Sequence, residues 1–204
     1  EPVSAIGAAM FQYSNNLVAE LLGSATTKAM TGRSLSLSQS SAAINQWWRK
    51  TLPDVTWDGF APRNHSGLTA AGRASPAQFA AMLSHAATQS YQTASGEQRG
   101  IRGLLPASGS AGAFGDRLRA PGTALRVWGK TGTMAYTSGL AGYITTTSGR
   151  DLAFAVLVTD RDARKRYDAQ RQRGSRPNRE RAAAWSDAAK DLEADLVRAW
   201  LTTL

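Results

Sequence analysis

Three apolar runs limit what this chain can fold into more than any other stretch: Leu125-Arg-Val-Trp128, Leu140-Ala-Gly-Tyr-Ile-Thr145 and Leu152-Ala-Phe-Ala-Val-Leu-Val158. They are separated by Gly139 and by the turn Ser148-Gly-Arg-Asp151, and are read as an antiparallel meander over residues 124 to 159. Near the C-terminus, Trp185, Ala188, Ala189, Leu192, Leu196, Ala199 and Trp200 form one helical stripe. Such a stripe needs a surface, so a helix from about Arg181 to Thr202 is expected across one face of the sheet. The expected fold class is α/β of the α+β type, an antiparallel sheet flanked by helices.

Within the meander lies Trp128-Gly-Lys-Thr-Gly-Thr-Met134, an arrangement suited to holding an anion against exposed backbone. Lys130 supplies a positive charge, Thr131 and Thr133 supply donors, and Gly132 removes a side chain that would block approach to the strand. The competing reading is a strand edge kept soluble by a lysine. Far upstream, Tyr13-Ser-Asn-Asn-Leu-Val-Ala-Glu20 places Ser14 and Asn16 two residues apart at the break between two helical patterns. Their ordinary role would be capping the second helix. A joint role with Lys130 requires the two motifs to converge on one cleft.

With 204 residues, 42% of them hydrophobic, the chain can bury an ordinary core. No run approaches the roughly 18 apolar residues of a transmembrane helix. The start at Glu1 has neither an initiator Met nor a leader, and is read as that of a processed chain or a fragment. The absence of cysteine excludes a disulfide framework and a thiolate zinc site, and two histidines, His65 and His85, argue against a multi-histidine metal centre. The net charge of +9 is concentrated: nine Lys or Arg and three acids lie between Arg161 and Arg181. That run, with Gly174 and Pro177, is read as a basic, solvated and mobile loop at about 161–181. Contact with a polyanion such as a wall polymer, lipid head groups or nucleic acid is its other reading.

In chain order, a helical stretch from Ala5 to Phe11 breaks at 12–16 and resumes from Leu17 to Leu22, with Gly23 as a stop and a connector from Ser24 to Ser34. Ser36 and Gln39 have capping-box spacing for the next helix, in which Trp47 and Trp48 are assigned to the core. A short strand from Val55 and a loop carrying His65 follow; a lone loop histidine is read as a structural, hydrogen-bonded residue. Ser75-Pro-Ala-Gln78 starts a further helix. Residues 96 to 120 are glycine-rich and read as loops bordering a cleft.

Taken together, Tyr13-Ser-Asn-Asn-Leu-Val-Ala-Glu-Leu-Leu22, His65-Ser-Gly-Leu-Thr69 with Arg73-Ala-Ser-Pro76, Leu104-Leu-Pro106 and Gly129-Lys-Thr-Gly-Thr-Met-Ala135 stand in an order that resembles the class C low-molecular-mass penicillin-binding proteins. These are serine D-alanyl-D-alanine carboxypeptidases and endopeptidases of peptidoglycan, with a β-lactamase or transpeptidase-like fold. The combination of Ser-X-Asn and Lys-Thr-Gly with a Ser-X-X-Lys nucleophile is the signature of such enzymes. One departure is Asn64-His65 before Ser-Gly-Leu, where the family usually carries an aspartate. The other is larger: none of the five lysines has a serine three positions before it, so no Ser-X-X-Lys exists in this sequence. The chain, residues 1–204, therefore resembles the C-terminal portion of such a domain.

What the resemblance implies is a serine nucleophile and low-pKa lysine on another segment, attacking a peptide that ends in D-Ala-D-Ala and reacting with β-lactams. Ser14 would relay the proton to the leaving amine and Asn16 would hold the substrate amide or the nucleophile's lysine. Lys130 would supply positive charge, Thr131 and Thr133 would bind the terminal carboxylate beside Gly132, and the Thr133 N–H would form one arm of the oxyanion hole. No cofactor or metal is required. A second polypeptide or a separated N-terminal segment is expected along the edge of the Lys130 strand, in a periplasmic or extracellular setting that includes the membrane surface. A non-catalytic peptidoglycan-binding remnant and a polyanion-binding module remain the other readings; nucleic acid is not the expected partner.

Overall fold

The computed structural model describes all residues except 1, 94, 111–113, 115–116, 121 and 171–173. Two helices open the chain, α1 (Val3–Tyr13) and α2 (Asn16–Thr31), followed by α3 (Leu37–Thr51) and α4 (Pro76–Ala87). Ser36 with Gln39 and Ser75 with Gln78 close full capping boxes on α3 and α4, as their spacing predicts. A small hairpin, β1 (Ser90–Gln92) and β2 (Gln98–Gly100), and a 3₁₀ turn at Ile101–Leu104 lead to the meander β3 (Val127–Met134), β4 (Thr137–Thr145) and β5 (Asp151–Thr159). The meander is antiparallel throughout in the order β3-β4-β5, with Thr131 opposite Leu140 and Leu140 opposite Val156. Two more helices, α5 (Arg161–Ala169) and α6 (Arg176–Thr203), complete the chain.

Strand alternation sorts the meander into two faces. Val127, Leu140, Ile144, Phe154 and Val156 form a core with Val197 and Leu201 of α6. On the other face α4 packs against β5 and β4, and the Tyr143 hydroxyl donates to the Leu83 carbonyl at 2.8 Å. The expected layering of helices on an antiparallel sheet is therefore the observed one.

The stripe of α6 that meets the sheet is rotated from the one expected. Leu192 is 48% exposed and Ala188 and Ala199 face solvent, while Ala182, Ser186, Ala189, Glu193, Val197 and Leu201 are buried. The reason is that two of the buried positions are polar, which an apolar pattern skips. Ser186 donates to the Ala182 carbonyl at 2.9 Å, and Glu193, fully buried, accepts from Arg117 at 2.7 Å.

Several loop assignments also change. Gly23 does not stop a helix: α2 runs through it to Thr31, so most of the 24–34 connector is helical. No strand forms at Val55 among the described residues; Ala61 makes an isolated bridge to Arg73 instead. Trp47 is 40% exposed and stacks edge-on with Trp48, and His85 meets both rings, so the pair forms a surface cluster rather than core. The basic 161–181 run is not one loop. Asp160 caps α5 through the Ala163 N–H, Arg164 pairs with Asp168 one turn on, and Pro177 lies in the first turn of α6. Charges and a proline that look like loop signals are here helix-starting signals.

Candidate active site

Lys130, Thr131, Gly132 and Thr133 all lie on β3. Alternation divides them: Lys130 and Gly132 share one face and Thr131 and Thr133 the other, so what the four have in common is the outer edge of the strand. The start of that edge is occupied by the chain itself. The Ser108 N–H donates to the Val127 carbonyl at 2.7 Å, the Gly129 N–H donates to the Pro106 carbonyl at 3.1 Å, and Ala107 bridges Trp128. A partner expected along this whole edge is thus restricted to the part from Lys130 onward, where no strand pairs with it among the described residues. There Gly132 and Thr133 are exposed, and a β-carbon placed on Gly132 would meet no atom of the described residues within 4 Å. A ligand can approach the backbone at this point.

Lys130 is half-buried, and its Nζ donates to the Thr131 carbonyl at 2.6 Å. Burial, which disfavours the charged form, holds its pKa below the ordinary lysine value. The side chain therefore presents a partly desolvated cation beside the open edge.

Ser14 and Asn16 sit at the α1–α2 junction, and the capping role that competed for them belongs to Asn15. The Asn15 Oδ1 accepts from the Val18 N–H at 3.1 Å, while Ser14 adopts a left-handed conformation with φ 53° as it closes α1. Both Ser14 and Asn16 are exposed, in the company of exposed Tyr13, Leu17 and Leu21. Helix α1 packs on the 3₁₀ turn, whose continuation at 106–108 pairs with β3, so one short segment links the junction to the Lys130 strand. No hydrogen bond joins Ser14 or Asn16 to Lys130, Thr131 or Thr133 among the described residues.

Behind the junction lies a polar network that no spacing in the sequence announces. Glu20, one turn after Asn16 on α2, accepts the His65 N–H at 3.0 Å and the Ser66 N–H at 3.1 Å. The His65 Nε2 contacts the buried Ser40 Oγ at 2.7 Å, and Ser40 contacts the buried Thr27 Oγ1 at 2.7 Å. His65 is therefore structural, as its sequence setting suggests, and it ties the Ser-Gly-Leu loop to both α2 and α3. Asn64 closes the turn itself, its Oδ1 accepting the Gly67 N–H at 3.1 Å, a bond a carboxylate could make equally. The departure at this position leaves the loop closed.

Burial lowers the pKa of His65 more than neighbouring Glu20 raises it. For Glu20, burial pushes the carboxyl up, but the Ser66 hydroxyl and the His65 and Ser66 N–H groups together outweigh it and hold it below its ordinary value. Among the described residues no group of three or more His, Cys, Asp or Glu side chains could hold a metal ion.

Among curated proteins no sequence matches the chain. Among solved structures it is similar to penicillin-binding protein 4 from Haemophilus influenzae in complex with a β-lactam, with 21% identity, a TM-score of 0.67, and coverage of 78% of this chain and 35% of that one. It is similar also to the predatory endopeptidase Bd3459 of Bdellovibrio bacteriovorus, acylated by penicillin G and bound to the immunity protein Bd3460, with 20% identity, a TM-score of 0.63, and coverage of 97% and 45%. A second endopeptidase of that organism, Bd0816, matches at 22% identity with a TM-score of 0.57 over 97% of this chain and 43% of that one. The chain thus spans less than half the length of the structures whose fold it shares. The family model of the D-Ala-D-Ala carboxypeptidase 3 (S13) family matches residues 1–176, and the chain belongs to that family.

Proposed function

We propose that this chain is the Ser-X-Asn and Lys-Thr-Gly portion of a serine D-Ala-D-Ala carboxypeptidase or endopeptidase acting on peptidoglycan stem peptides through an acyl-enzyme. The observation that carries the reading is the half-buried Lys130 on an edge left open at Gly132, within a chain of the S13 family. Exposed Ser14 and Asn16, freed from capping by Asn15, are available to face the same ligand.

The chemistry divides by residue. Lys130 and the Thr131 and Thr133 hydroxyls bind the terminal carboxylate of the substrate, and the Thr133 N–H stabilises the oxyanion that develops on the scissile carbonyl. A serine of a Ser-X-X-Lys segment outside this sequence attacks that carbonyl, and its lysine takes the proton, kept neutral by the charge of Lys130. Ser14 passes the proton to the departing D-alanine amine; water then releases the acyl-enzyme. Asn16 holds the peptide amide. The segment with the nucleophile lies between the α1–α2 junction and Lys130, where exposed Tyr13, Leu17 and Leu21 give it an apolar seat. The setting is the periplasm or the extracellular wall; no described helix is long and apolar enough to cross a membrane.

The test is denaturing mass spectrometry of the complete protein after reaction with penicillin. The acyl adduct is expected on the Ser-X-X-Lys segment, and Lys130→Ala should slow its formation by two to three orders of magnitude, as loss of a transition-state charge contact does. An adduct on Ser14 or Ser24, or none at all, overturns the proposal.

A further inference from the structure

The basic run is folded, which changes what it can do. Seven of its cations fall on described residues, and the three acids neutralise three of them: Asp162 pairs with Lys165, Asp168 with Arg164 and Glu180 with Arg176. Arg161, Arg166, Arg179 and Arg181 have no carboxylate partner among the described residues, and all four are exposed. They are carried on two helices held in place at the end of the β3–β4 hairpin. The Asp160 N–H donates to the Tyr136 carbonyl at 3.1 Å, Arg164 donates to the Ala135 carbonyl at 3.2 Å, and the Tyr136 ring meets Tyr167 of α5 and Trp185 of α6 at 6.0 and 5.8 Å between centroids. Ala135 is two residues from Thr133, so the start of α5 is tied to the end of β3 that carries the candidate carboxylate site.

We propose that α5 and the first turns of α6 form a docking surface for a phosphodiester polymer of the cell wall, presented together with the peptidoglycan substrate. Four uncompensated guanidinium groups on a fixed scaffold suit a flexible chain of repeated phosphates, since each can make paired N–H bonds to one phosphate. A lipid surface fits less well because interfacial helices need an apolar face, and Ala163 is buried while Tyr167 and Trp185 are turned inward against Tyr136. Single-stranded nucleic acid would call for outward aromatic platforms, and the aromatic rings here are engaged with one another. The choice of a wall polymer rests on the peptidase reading; the existence of an anion-docking surface does not.

The experiment is sedimentation of the complete protein with purified wall fragments that retain their phosphodiester polymer and with the same fragments stripped of it. Four phosphate contacts predict that apparent affinity for intact fragments falls roughly 50-fold between 50 and 200 mM salt, by the slope for flexible polyanions. In the variant Arg161→Glu, Arg166→Gln, Arg179→Glu, one contact remains and the same change in salt should cost about threefold. The substitutions place acids only in first helical turns, where they favour folding, and a variant with all three changed to Gln guards against misfolding. Penicillin acylation, measured on the same samples, should be unchanged in both variants. Equal sedimentation with stripped fragments, wild-type retention by both variants, or tighter binding to phosphatidylglycerol vesicles or duplex DNA at the same salt overturns the proposal. Retention with no acylation would instead refute the peptidase reading alone.

Discussion

Replacing Gly23 by alanine tests whether the polar network behind the α1–α2 junction is a rigid part of the fold. Gly23 is an interior residue of α2, where alanine ordinarily stabilises a helix by about 0.5 to 1 kcal/mol. Here a β-carbon would overlap the Cγ, Cδ2 and Nδ1 atoms of the His65 ring. The ring cannot slide away freely, because its Nε2 contacts Ser40 and the backbone N–H of His65 is held by Glu20. Overpacking of this kind costs about 1 to 3 kcal/mol, and loss of the His65–Ser40 hydrogen bond adds about 0.5 to 1.5. The clash therefore wins, and Gly23→Ala should destabilise by about 0.5 to 4 kcal/mol net. Urea unfolding of Gly23→Ala, His65→Ala and the double variant measures this. In the His65→Ala background the obstruction is gone, and Gly23→Ala should become stabilising by about 0.5 to 1 kcal/mol. If Gly23→Ala stabilises the otherwise unaltered protein, the contact between α2 and the Ser-Gly-Leu loop does not constrain the fold as argued.

Acidification should weaken the fold in two stages. Below the ordinary histidine value of 6.5, the unfolded chain protonates His65 while burial keeps the folded one neutral, so stability falls as pH drops from there. Glu20, whose folded pKa is depressed, contributes stability that is full above 4.5 and is lost as pH falls through its lower folded value. Unfolding measured from pH 7 to 3 should show both stages; Glu20→Gln should remove the lower one, and a profile unaltered by that change would refute the assignment. Arg117→Ala should destabilise by about 3 to 5 kcal/mol, because it leaves the Glu193 carboxylate buried without its partner. The other oxygen of Glu193, Oε1, already lacks a hydrogen bond among the described residues, so Arg117→Ala with Glu193→Leu should recover much of the loss in denaturant melts. A change below about 1 kcal/mol on Arg117→Ala would mean that water reaches the carboxylate.

The sheet, its order and the helices started by Ser36 and Ser75 were legible in the sequence because each depends on neighbours within a few positions: alternation along a strand, a hydroxyl three residues before a glutamine, a turn between two apolar runs. The candidate Lys-Thr-Gly and Ser-X-Asn elements can be picked out for a similar reason, since both are contiguous triplets. What the tertiary structure decided is where contact between distant residues overrides local pattern. Gly23 resembles a helix stop until His65, 42 positions later, is seen to occupy the space its side chain would need. Glu193 looks like a solvent-facing charge until Arg117 crosses to it, and that buried carboxylate lies in the stripe of α6 that meets the sheet. Capping by Asn15 rather than by Ser14 or Asn16 depends on the left-handed turn at Ser14, a backbone choice that residue type alone does not dictate. Hydrogen bonds and steric exclusion between segments far apart in the chain have no period, so they leave no signature in a single sequence, and here they set the surroundings of both candidate motifs.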